Sequence, residues 1–373
     1  MTDVETRLAP IPVPRLPAGI DTPAVVVDRA RLVGNIARLQ EELDRRGVAL
    51  RPHAKTHKSV RVAQLQLAAG ARGITVGTLG EAEVFAAAGI RDLFVAYPLW
   101  AEGPKAGRLR QLHEAVDLRV GVDSVAGATR LAAAVAGGRK PLAVVVEIDS
   151  GLHRTGAANP AKALVVAEAA RRGGLVVAGV FTHGGHSYRL GRRAEVAAQE
   201  VASLEAAAAA LESGGIEVET ISAGSTPTML EAARGRINEI RAGTYVLGDR
   251  QQWVLGAVPP EGVAVFVAAM VVSVASGQVV LDAGAKSLTK DRADWLEGFG
   301  LIPAYPAGVI AWLNDYHGVV RFPDGAARPA LGEIVAIAPN HVCPVIDLFD
   351  AFWVVAEDGS AERWPVDARG RSG

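Results

Sequence analysis

Short apolar runs alternate with alanine-rich stretches of helical character along the chain up to about residue 248. Nine runs rich in Val, Ile and Leu predict β-strands, at residues 24–28, 49–53, 73–76, 93–97, 117–122, 142–149, 175–183, 218–222 and 237–240. Strands that alternate with helices are typical of repeated βα units around a parallel sheet. We therefore predict an α/β fold built on a (β/α)8 TIM-type barrel.

One of the nine strands is surplus, because a closed barrel of this type needs eight. Residues 24–28 follow a proline-rich leader and precede a long amphipathic helix predicted over 29–46, so we assign this strand elsewhere. From about residue 250 the helical pattern stops, and strand-like runs separated by Pro and Gly take over. We predict a barrel domain over residues 29–248 and a C-terminal all-β domain over residues 249–373, which residues 1–28 join.

An uncharged run of twenty residues, from Gly262 to Leu281, has the length of a membrane span. The run is rich in Val, and Ser273, Ser276 and Gly277 interrupt it. This pattern favours two buried strands around a turn over a membrane helix.

The charge balance narrows the class of partner. The 373 residues include 39 Lys and Arg against 40 Asp and Glu, and aromatic residues make up 5%. Since there is no basic block, we expect a small-molecule partner and no nucleic acid.

Cys343 is the only cysteine, which excludes an intrachain disulfide and fits a reducing compartment. Residues 1–19 begin with acidic residues and are broken by proline, unlike a signal peptide, so we expect a cytoplasmic protein that binds no membrane.

The candidate chemistry collects where the predicted barrel strands end, which is where such barrels carry their active sites. The first barrel strand leads into the basic segment 51–58, which contains Lys55. A lysine that is desolvated in a cavity has a lowered pKa, and its free amine is a nucleophile toward an aldehyde. We take Lys55 as the candidate nucleophile, with a basic loop that faces water as the alternative.

Two further strand ends carry polar groups. Segment 149–156 contains Arg154, which can donate to an oxyanion or phenolate, or else form a surface ion pair with Asp149. Segment 182–188 contains adjacent glycines, which let a flat ligand approach the backbone closely, or else form a surface turn.

The last two barrel strands are followed by small and hydroxyl-bearing residues, in segments 223–228 and 241–245. Free N–H groups and hydroxyls at these two positions form the usual phosphate site of such barrels. A phosphate site together with a reactive lysine predicts pyridoxal 5′-phosphate (PLP), held as a Schiff base.

His341 and Cys343 lie two residues apart in a segment that the pattern predicts as a strand. On a strand both side chains point to the same face, and an imidazole with a thiolate suits zinc. The alternative is a buried histidine beside a small apolar cysteine.

These segments together resemble the D-serine dehydratase and D-threonine aldolase family, whose barrel is that of the alanine racemases, the fold-type III PLP enzymes. The resemblance runs from about Asp21 to Trp364. The segments that carry it are 51–58, 149–156, GSTPT at 224–228, RAGTYVLGD at 241–249 and PNHVC at 339–343.

The resemblance implies a role for each candidate. Lys55 binds PLP covalently, Arg154 lies near the phenolic oxygen of the cofactor, and His183 lies against its ring. The residues implied around the phosphate are Gly224, Ser225, Thr226, Gly243 and Thr244. Arg241 and Tyr188 are the alternatives for the residue that meets the pyridine nitrogen. His341 and Cys343 bind a divalent metal beside the β-hydroxyl of the substrate, with zinc first and manganese second.

The expected activity is that of a PLP- and metal-dependent lyase acting on D-β-hydroxy amino acids. HGGHSY at 183–188 and the His-x-Cys pair favour β-elimination to keto acid and ammonia, as in D-serine dehydratases, because aldolases more often pair His with Asp. The C-terminal residues 364–372 depart from the Gly-Trp ending of the dehydratases.

Three alternatives stay open. The first is retro-aldol cleavage to glycine and an aldehyde, as in D-threonine aldolases. The others are an amino-acid racemase, which the metal pair disfavours, and a PLP-binding protein without turnover. In the leading interpretation Lys55, His183 and Arg154 are the catalytic residues, and the dimeric relatives imply a homodimer.

Overall fold

The computed structural model describes residues 8–275 and 277–373. Residues 1–7, part of the predicted second domain, and Ser276, in the predicted turn, lie outside the described residues. The strands are β1 (Ala24–Asp28), β2 (Ala49–Leu50), β3 (Ile74–Val76), β4 (Asp92–Pro98), β5 (Asp117–Val122), β6 (Ala143–Glu147), β7 (Val176–Phe181), β8 (Thr220–Ala223), β9 (Glu239–Ile240), β10 (Val265–Ala275), β11 (Gln278–Leu281), β12 (Val309–Leu313), β13 (Gly318–Arg321), β14 (Ile334–Ile337), β15 (Ala351–Val355) and β16 (Ala361–Pro365). The helices are α1 (Arg29–Arg45), α2 (Val60–Ala68), α3 (Leu79–Ala87), α4 (Pro104–Ala115), α5 (Val125–Val135), α6 (Pro160–Arg172), α7 (Arg193–Ser213), α8 (Arg250–Val254), α9 (Ala285–Leu288) and α10 (Val342–Asp347).

The chain divides into two compact units. The barrel unit consists of residues 39–55, 62–243 and 370–373. The sheet unit consists of the chain up to Arg38 together with residues 56–61 and 244–369. The division therefore falls inside α1, and the segment directly after Lys55 belongs to the sheet unit.

Eight parallel strands form the barrel, in the order β2-β9-β8-β7-β6-β5-β4-β3. The two ends of this order also meet, since His53 pairs with Thr75 and the Thr75 N–H donates to the carbonyl oxygen of Pro52 at 2.9 Å. The ring is closed, and the predicted (β/α)8 barrel is confirmed. We call the edge formed by the C-terminal ends of these strands the barrel rim.

Side-chain caps start several helices just beyond the rim. Thr78 accepts the Glu81 N–H at the start of α3, Ser124 accepts the Gly127 N–H at the start of α5, and Asn159 accepts the Lys162 N–H at the start of α6. The partial positive charge of a helix N-terminus thus lies next to the rim at each of these positions.

The barrel interior contains a buried ion-pair network. The fully buried Arg51 donates from Nε to Glu239 at 2.8 Å and from Nη1 to Asp92 at 2.5 Å. Although burial opposes it, the two carboxylates raise the pKa of Arg51 above its ordinary value. Nearer the rim, Phe94 and Phe181 meet edge to face with ring centroids 5.1 Å apart.

The main sheet of the sheet unit has the order β12-β13-β11-β10-β1-β15-β16, and β14 also pairs with β10. Strand β1 runs antiparallel to β10 and parallel to β15. β1 is therefore paired on both edges, and its first four residues are buried.

The region predicted as all-β also contains the short helices α8, α9 and α10. The predicted strand through His341 and Cys343 is wrong, because β14 ends at Ile337 and α10 begins at Val342. Pro344 explains the difference: proline cannot donate to a sheet ladder but is tolerated in the first turn of a helix. The Asp249 carboxylate accepts the Val342 N–H at 3.0 Å and so caps this turn.

Gly262 to Leu281 forms the two predicted strands, β10 and β11, which pair antiparallel. The first half of β10 is buried, whereas Val272, at a β-bulge, and Val274, beyond it, are exposed. Among the described residues, no helix combines the length and hydrophobicity that crossing a membrane requires.

Replacement of Arg51 tests the buried ion pair. Arg51→Met keeps most of the side-chain volume but leaves the Glu239 carboxylate, which is 1% exposed, without its partner cation. We expect the free energy of unfolding to fall by about 3–5 kcal/mol. Urea denaturation followed by circular dichroism measures the change.

Arg172→Met is the matched control, since Arg172 pairs with Glu168 on the surface of α6. This variant should lose less than about 1 kcal/mol. Equal losses in the two variants would contradict the role assigned to Arg51.

Candidate active site

Lys55 lies at the barrel rim directly after β2. It occupies a 3-10 turn, Ala54–Thr56, and its side chain is exposed. Its N–H donates to Nδ1 of His53 at 3.3 Å, and the His53 N–H donates to the carbonyl oxygen of Ala242. The backbone on the N-terminal side of Lys55 is therefore fixed to the barrel, while the amine is open to a ligand.

His183 follows β7 on the same rim. Burial lowers its pKa well below 6.5, and the neighbouring cations Lys55, Arg154 and Arg241 lower it further. His183 is therefore a neutral imidazole at physiological pH, able to lie against a ring without adding positive charge.

The loop that carries Arg154 is organised by Asp149. Its carboxylate accepts the N–H groups of Gly151 and His153, and it contacts His153 Nδ1 at 2.8 Å. Asp149 thus pairs with His153 and not with Arg154, whose side chain is exposed. The alternative of an Asp149–Arg154 ion pair is not what the structure shows.

Glu147, the last residue of β6, also supports this loop, and our sequence reasoning did not select it. Oε1 accepts from the Thr155 hydroxyl at 3.0 Å. Burial raises the pKa of Glu147 to about 7, against the lowering effects of Thr155 and Arg154. The sequence did contain a sign of it, because Glu147 is an acidic residue at the C-terminal end of an apolar strand, and the C-terminal strand ends form the rim.

The proposed phosphate residues Gly224, Ser225 and Thr226 lie together in a buried loop after β8. The Gly224 N–H donates to Glu200 at 3.2 Å, and the Ser225 N–H donates to the Thr228 hydroxyl at 3.0 Å. These two N–H groups are thus bonded within the protein, contrary to the expectation of free donors. The Ser225 hydroxyl also lies 2.9 Å from the hydroxyl of Ser187 and 3.0 Å from that of Thr228.

The glycines of the loop after β7 pack closely against side chains of the protein. A Cβ at Gly184 would lie 2.6 Å from Cδ of Glu200, and a Cβ at Gly185 would lie 2.9 Å from a methyl carbon of Leu152. The space beside Gly184 is therefore filled by a carboxylate of the protein itself.

Arg241 lies inside the barrel. Its terminal nitrogens donate to the Ser222 hydroxyl at 2.6 Å and to the carbonyl oxygen of Thr182 at 2.5 Å. Its guanidinium lies 5.1 Å from the ring centre of Phe181. Burial lowers the pKa of Arg241, and nearby glutamates, with Glu239 first, oppose that effect.

The remaining predicted cofactor residues lie on two segments, one with Tyr188 and one with the adjacent residues Gly243 and Thr244. Tyr188 is half-buried and follows the 3-10 turn Gly185–Ser187. Gly243 is buried at the end of a barrel-unit segment. Thr244 belongs to the sheet unit, where its hydroxyl lies 3.9 Å from Sγ of Cys343.

The side chains of His341 and Cys343 meet although they do not lie on a strand. His341 is the N-cap of α10 with extended backbone, and its side chain hydrogen-bonds to Cys343. Nδ1 of His341 contacts Asp291 at 2.6 Å, and Sγ of Cys343 lies 3.3 Å from the Thr56 hydroxyl. Although burial opposes it, Cys343, Asp291 and Asp249 raise the pKa of His341 to about 11.

These surroundings favour positive charge at the His341–Cys343 pair. Across the part of the chain that the structure describes, no cluster of three or more His, Cys, Asp or Glu side chains is arranged to hold a metal ion.

Glu147 should give the protein a measurable pH dependence. Its pKa of about 7 in the folded state exceeds the ordinary value of 4.5, so between these values the folded state keeps a proton that the unfolded state releases. The stability due to this proton is present below pH 4.5 and is lost as the pH rises through 7. We expect Glu147→Gln to gain stability relative to wild type over this range, on the order of 3 kcal/mol, in urea denaturation.

Glu217→Gln, at an exposed position, is the control for the change of Glu to Gln. A pH-independent difference between Glu147→Gln and wild type would show that burial does not perturb Glu147.

Comparison with known proteins identifies the family. The family described as "Alanine racemase, N-terminal domain" matches residues 27–251, and the "Putative serine dehydratase domain" matches residues 264–355. D-threo-3-hydroxyaspartate dehydratase from Delftia sp. is 38% identical over 92% of this chain and 97% of its own. D-threonine aldolase from Arthrobacter sp. is 36% identical over 95% of this chain and 94% of its own.

Solved structures agree with the sequence comparison. D-threonine aldolase from Filomicrobium marinum superimposes with a TM-score of 0.88 at 31% identity, covering 96% of this chain and 99% of that one. The resemblance inferred from the sequence is confirmed: the chain belongs to the family of fold-type III PLP-dependent lyases, with an alanine-racemase-like barrel, that includes D-threo-3-hydroxyaspartate dehydratase and D-threonine aldolase.

Proposed function

We propose that the protein is a PLP- and divalent-metal-dependent lyase that eliminates water from D-β-hydroxy amino acids, giving a keto acid and ammonia. The observation that carries this proposal is the contact between the His341 and Cys343 side chains. The Delftia dehydratase has been solved as a variant in which a histidine is replaced by alanine. It has also been solved in a metal-free form in which the cysteine two positions later is replaced. The same spacing separates His341 from Cys343.

The chemistry of this pair fits a metal. Nδ1 of His341 is hydrogen-bonded to Asp291, so a metal would bind Nε2. A metal-binding histidine usually has a carboxylate hydrogen-bonded to its other ring nitrogen. An imidazole with a thiolate suits zinc better than manganese, which prefers oxygen ligands. Water or substrate atoms would fill the other positions, and the cation would supply Lewis-acid polarisation of the substrate hydroxyl.

The rim residues fit PLP. The exposed amine of Lys55 suits the aldehyde of the cofactor. The neutral imidazole of His183 suits its ring, and the buried loop after β8, which carries hydroxyl groups, suits its phosphate. Bound PLP supplies an electron sink for the charge that develops at Cα of the substrate.

The protein groups then divide the work. The Lys55 amine takes the proton from Cα as general base, and the Arg154 guanidinium donates to the phenolic oxygen. The Ser225 and Thr226 hydroxyls hold the phosphate. Gly224, Gly243 and Thr244 remain predicted neighbours of the phosphate, and Arg241 and Tyr188 remain the alternatives at the pyridine nitrogen. The hydroxyl leaves Cβ as water, taking up the proton that Lys55 removed from Cα, and the released enamine hydrolyses to the keto acid and ammonia.

Retro-aldol cleavage is the second candidate. It is favoured by the similarity to the Filomicrobium D-threonine aldolase along almost the whole chain. In that reaction a base removes the hydroxyl proton and the Cα–Cβ bond breaks, giving glycine and an aldehyde. The fold does not distinguish the two reactions, because both use the same groups.

Replacement of Lys55 tests the cofactor site. Lys55→Ala removes the amine, so the visible absorbance of covalently bound PLP should disappear after gel filtration. Activity on D-threo-3-hydroxyaspartate, D-serine and D-threonine should fall by about 100-fold or more, since the general base is lost. Keto acid, ammonia, glycine and aldehyde are assayed together in the wild type.

Lys162→Ala, at an exposed position on α6, should keep both the absorbance and the activity. Keto acid and ammonia in equal amounts support elimination, whereas glycine and aldehyde would assign the protein to retro-aldol cleavage. Wild-type protein that acquires no cofactor absorbance would disprove the PLP site.

Metal binding can be followed at a single sulfur. Cys343 is the only cysteine of the chain, so a thiol reagent reports on this site alone. We expect zinc to slow the reaction of Cys343 and EDTA to restore it. Asp291→Asn should weaken zinc binding by about 10–100-fold, because the partner of Nδ1 is altered.

His341→Asn should abolish the zinc protection, and His317→Asn, at an exposed histidine, should leave it unchanged. If zinc protects Cys343 equally in the His341 variant, the pair is not a metal site.

A further inference from the structure

Two loops of the candidate site are joined by one carboxylate. Glu200 lies on α7 and is fully buried. Its Oε1 accepts the Gly184 N–H at 2.9 Å and the Gly224 N–H at 3.2 Å. Gly184 directly follows His183 in the loop after β7, and Gly224 begins the loop after β8.

Each loop has a glycine at the point where it contacts the Glu200 carboxylate. Any side chain at Gly184 would collide with Glu200, since a Cβ there would lie 2.6 Å from its Cδ. Gly224 has φ of +96°, a conformation that side-chain-bearing residues rarely adopt. A second link joins the same loops, because the hydroxyls of Ser187 and Ser225 lie 2.9 Å apart.

We propose that Glu200 is a positioning residue for the cofactor. It fixes the loop that carries His183 relative to the loop that carries Ser225. The distance between the ring and the phosphate of PLP is nearly fixed. PLP therefore binds tightly only if the loop after β7 and the loop after β8 are held at a separation that fits this distance. The inference rests on the proposed function, and it concerns a residue that would touch neither the cofactor nor the substrate.

The physical basis is preorganisation. Without Glu200 the N–H groups of Gly184 and Gly224 would lack their acceptor, and buried N–H groups without partners are rare in folded proteins. The loops would then move toward water, and binding PLP would have to order them again, which weakens affinity.

The same helix supplies a matched control. Glu205, on α7, accepts the Arg236 N–H at 2.9 Å, in the turn that precedes β9. This bond is also carboxylate to backbone, but it lies at the end of the barrel away from the rim. Glu205→Ala should therefore lower the thermal stability without changing PLP affinity.

The experiment is an absorbance titration of cofactor-free protein with PLP. We expect Glu200→Ala to raise the Kd by about 10-fold or more, as for the loss of a hydrogen bond to a charged group. Glu200→Gln should stay within about threefold of wild type, because its amide oxygen can accept both N–H groups. Hydrogen exchange of the cofactor-free proteins should show faster exchange at Gly184 and Gly224 in Glu200→Ala only.

If Glu200→Ala does not fold, Glu200→Asp takes its place, since it keeps the charge but is too short to reach both loops. Wild-type affinity in the alanine or aspartate variant, or an equal loss in Glu205→Ala, would overturn the inference. Wild-type protein that binds no PLP would instead overturn the proposed function, so the two failures are distinguishable.

Discussion

Closure of eight parallel strands into a ring is the constraint on which the candidate site depends. Because the strands are parallel, all their C-terminal ends lie on one edge, and segments far apart in the chain meet there. The contact between His53 and Thr75 completes the ring. His53 lies two residues before Lys55, so the contact that closes the barrel also fixes the backbone next to the candidate lysine. The capped helices that follow the strands add their positive ends at the same edge.

Acidic groups surround the cations inside this ring. Glu239 binds Arg51, and Glu239, Glu200 and Glu147 together offset the burial of Arg241. Lys55 and Arg154 are exposed at the rim, and with Arg241 they are the cations that lower the pKa of His183. His183 stays neutral, which suits a cofactor that carries negative charge on its phosphate.

Much of the barrel could be predicted from the sequence, because strands that are buried on both faces consist of continuous apolar residues. The polar residues at the ends of these strands are then easy to recognise. This rule placed Lys55 and Arg154 after strand ends, where the structure has them, and their roles stay predictions. Glu200 was not found, because a helical residue gives no local sign that it accepts two N–H groups from distant loops. The segment through His341 was predicted as a strand since its spacing fits either element, and Pro344 was the sign of a helix. The homodimer, the cytoplasmic location and the domain boundaries stay predictions.

The position of β1 has a consequence for biosynthesis. Its partners lie late in the chain, since Val26 pairs with both Phe266 and Trp353. At a synthesis rate of about 5–20 residues per second, this strand emerges from the ribosome tens of seconds before its last neighbour exists. An apolar segment, AVVVD, is therefore exposed while the barrel strands are made. Until its partners are made, β1 has unpaired edges, and unpaired strand edges are where chains pair with one another.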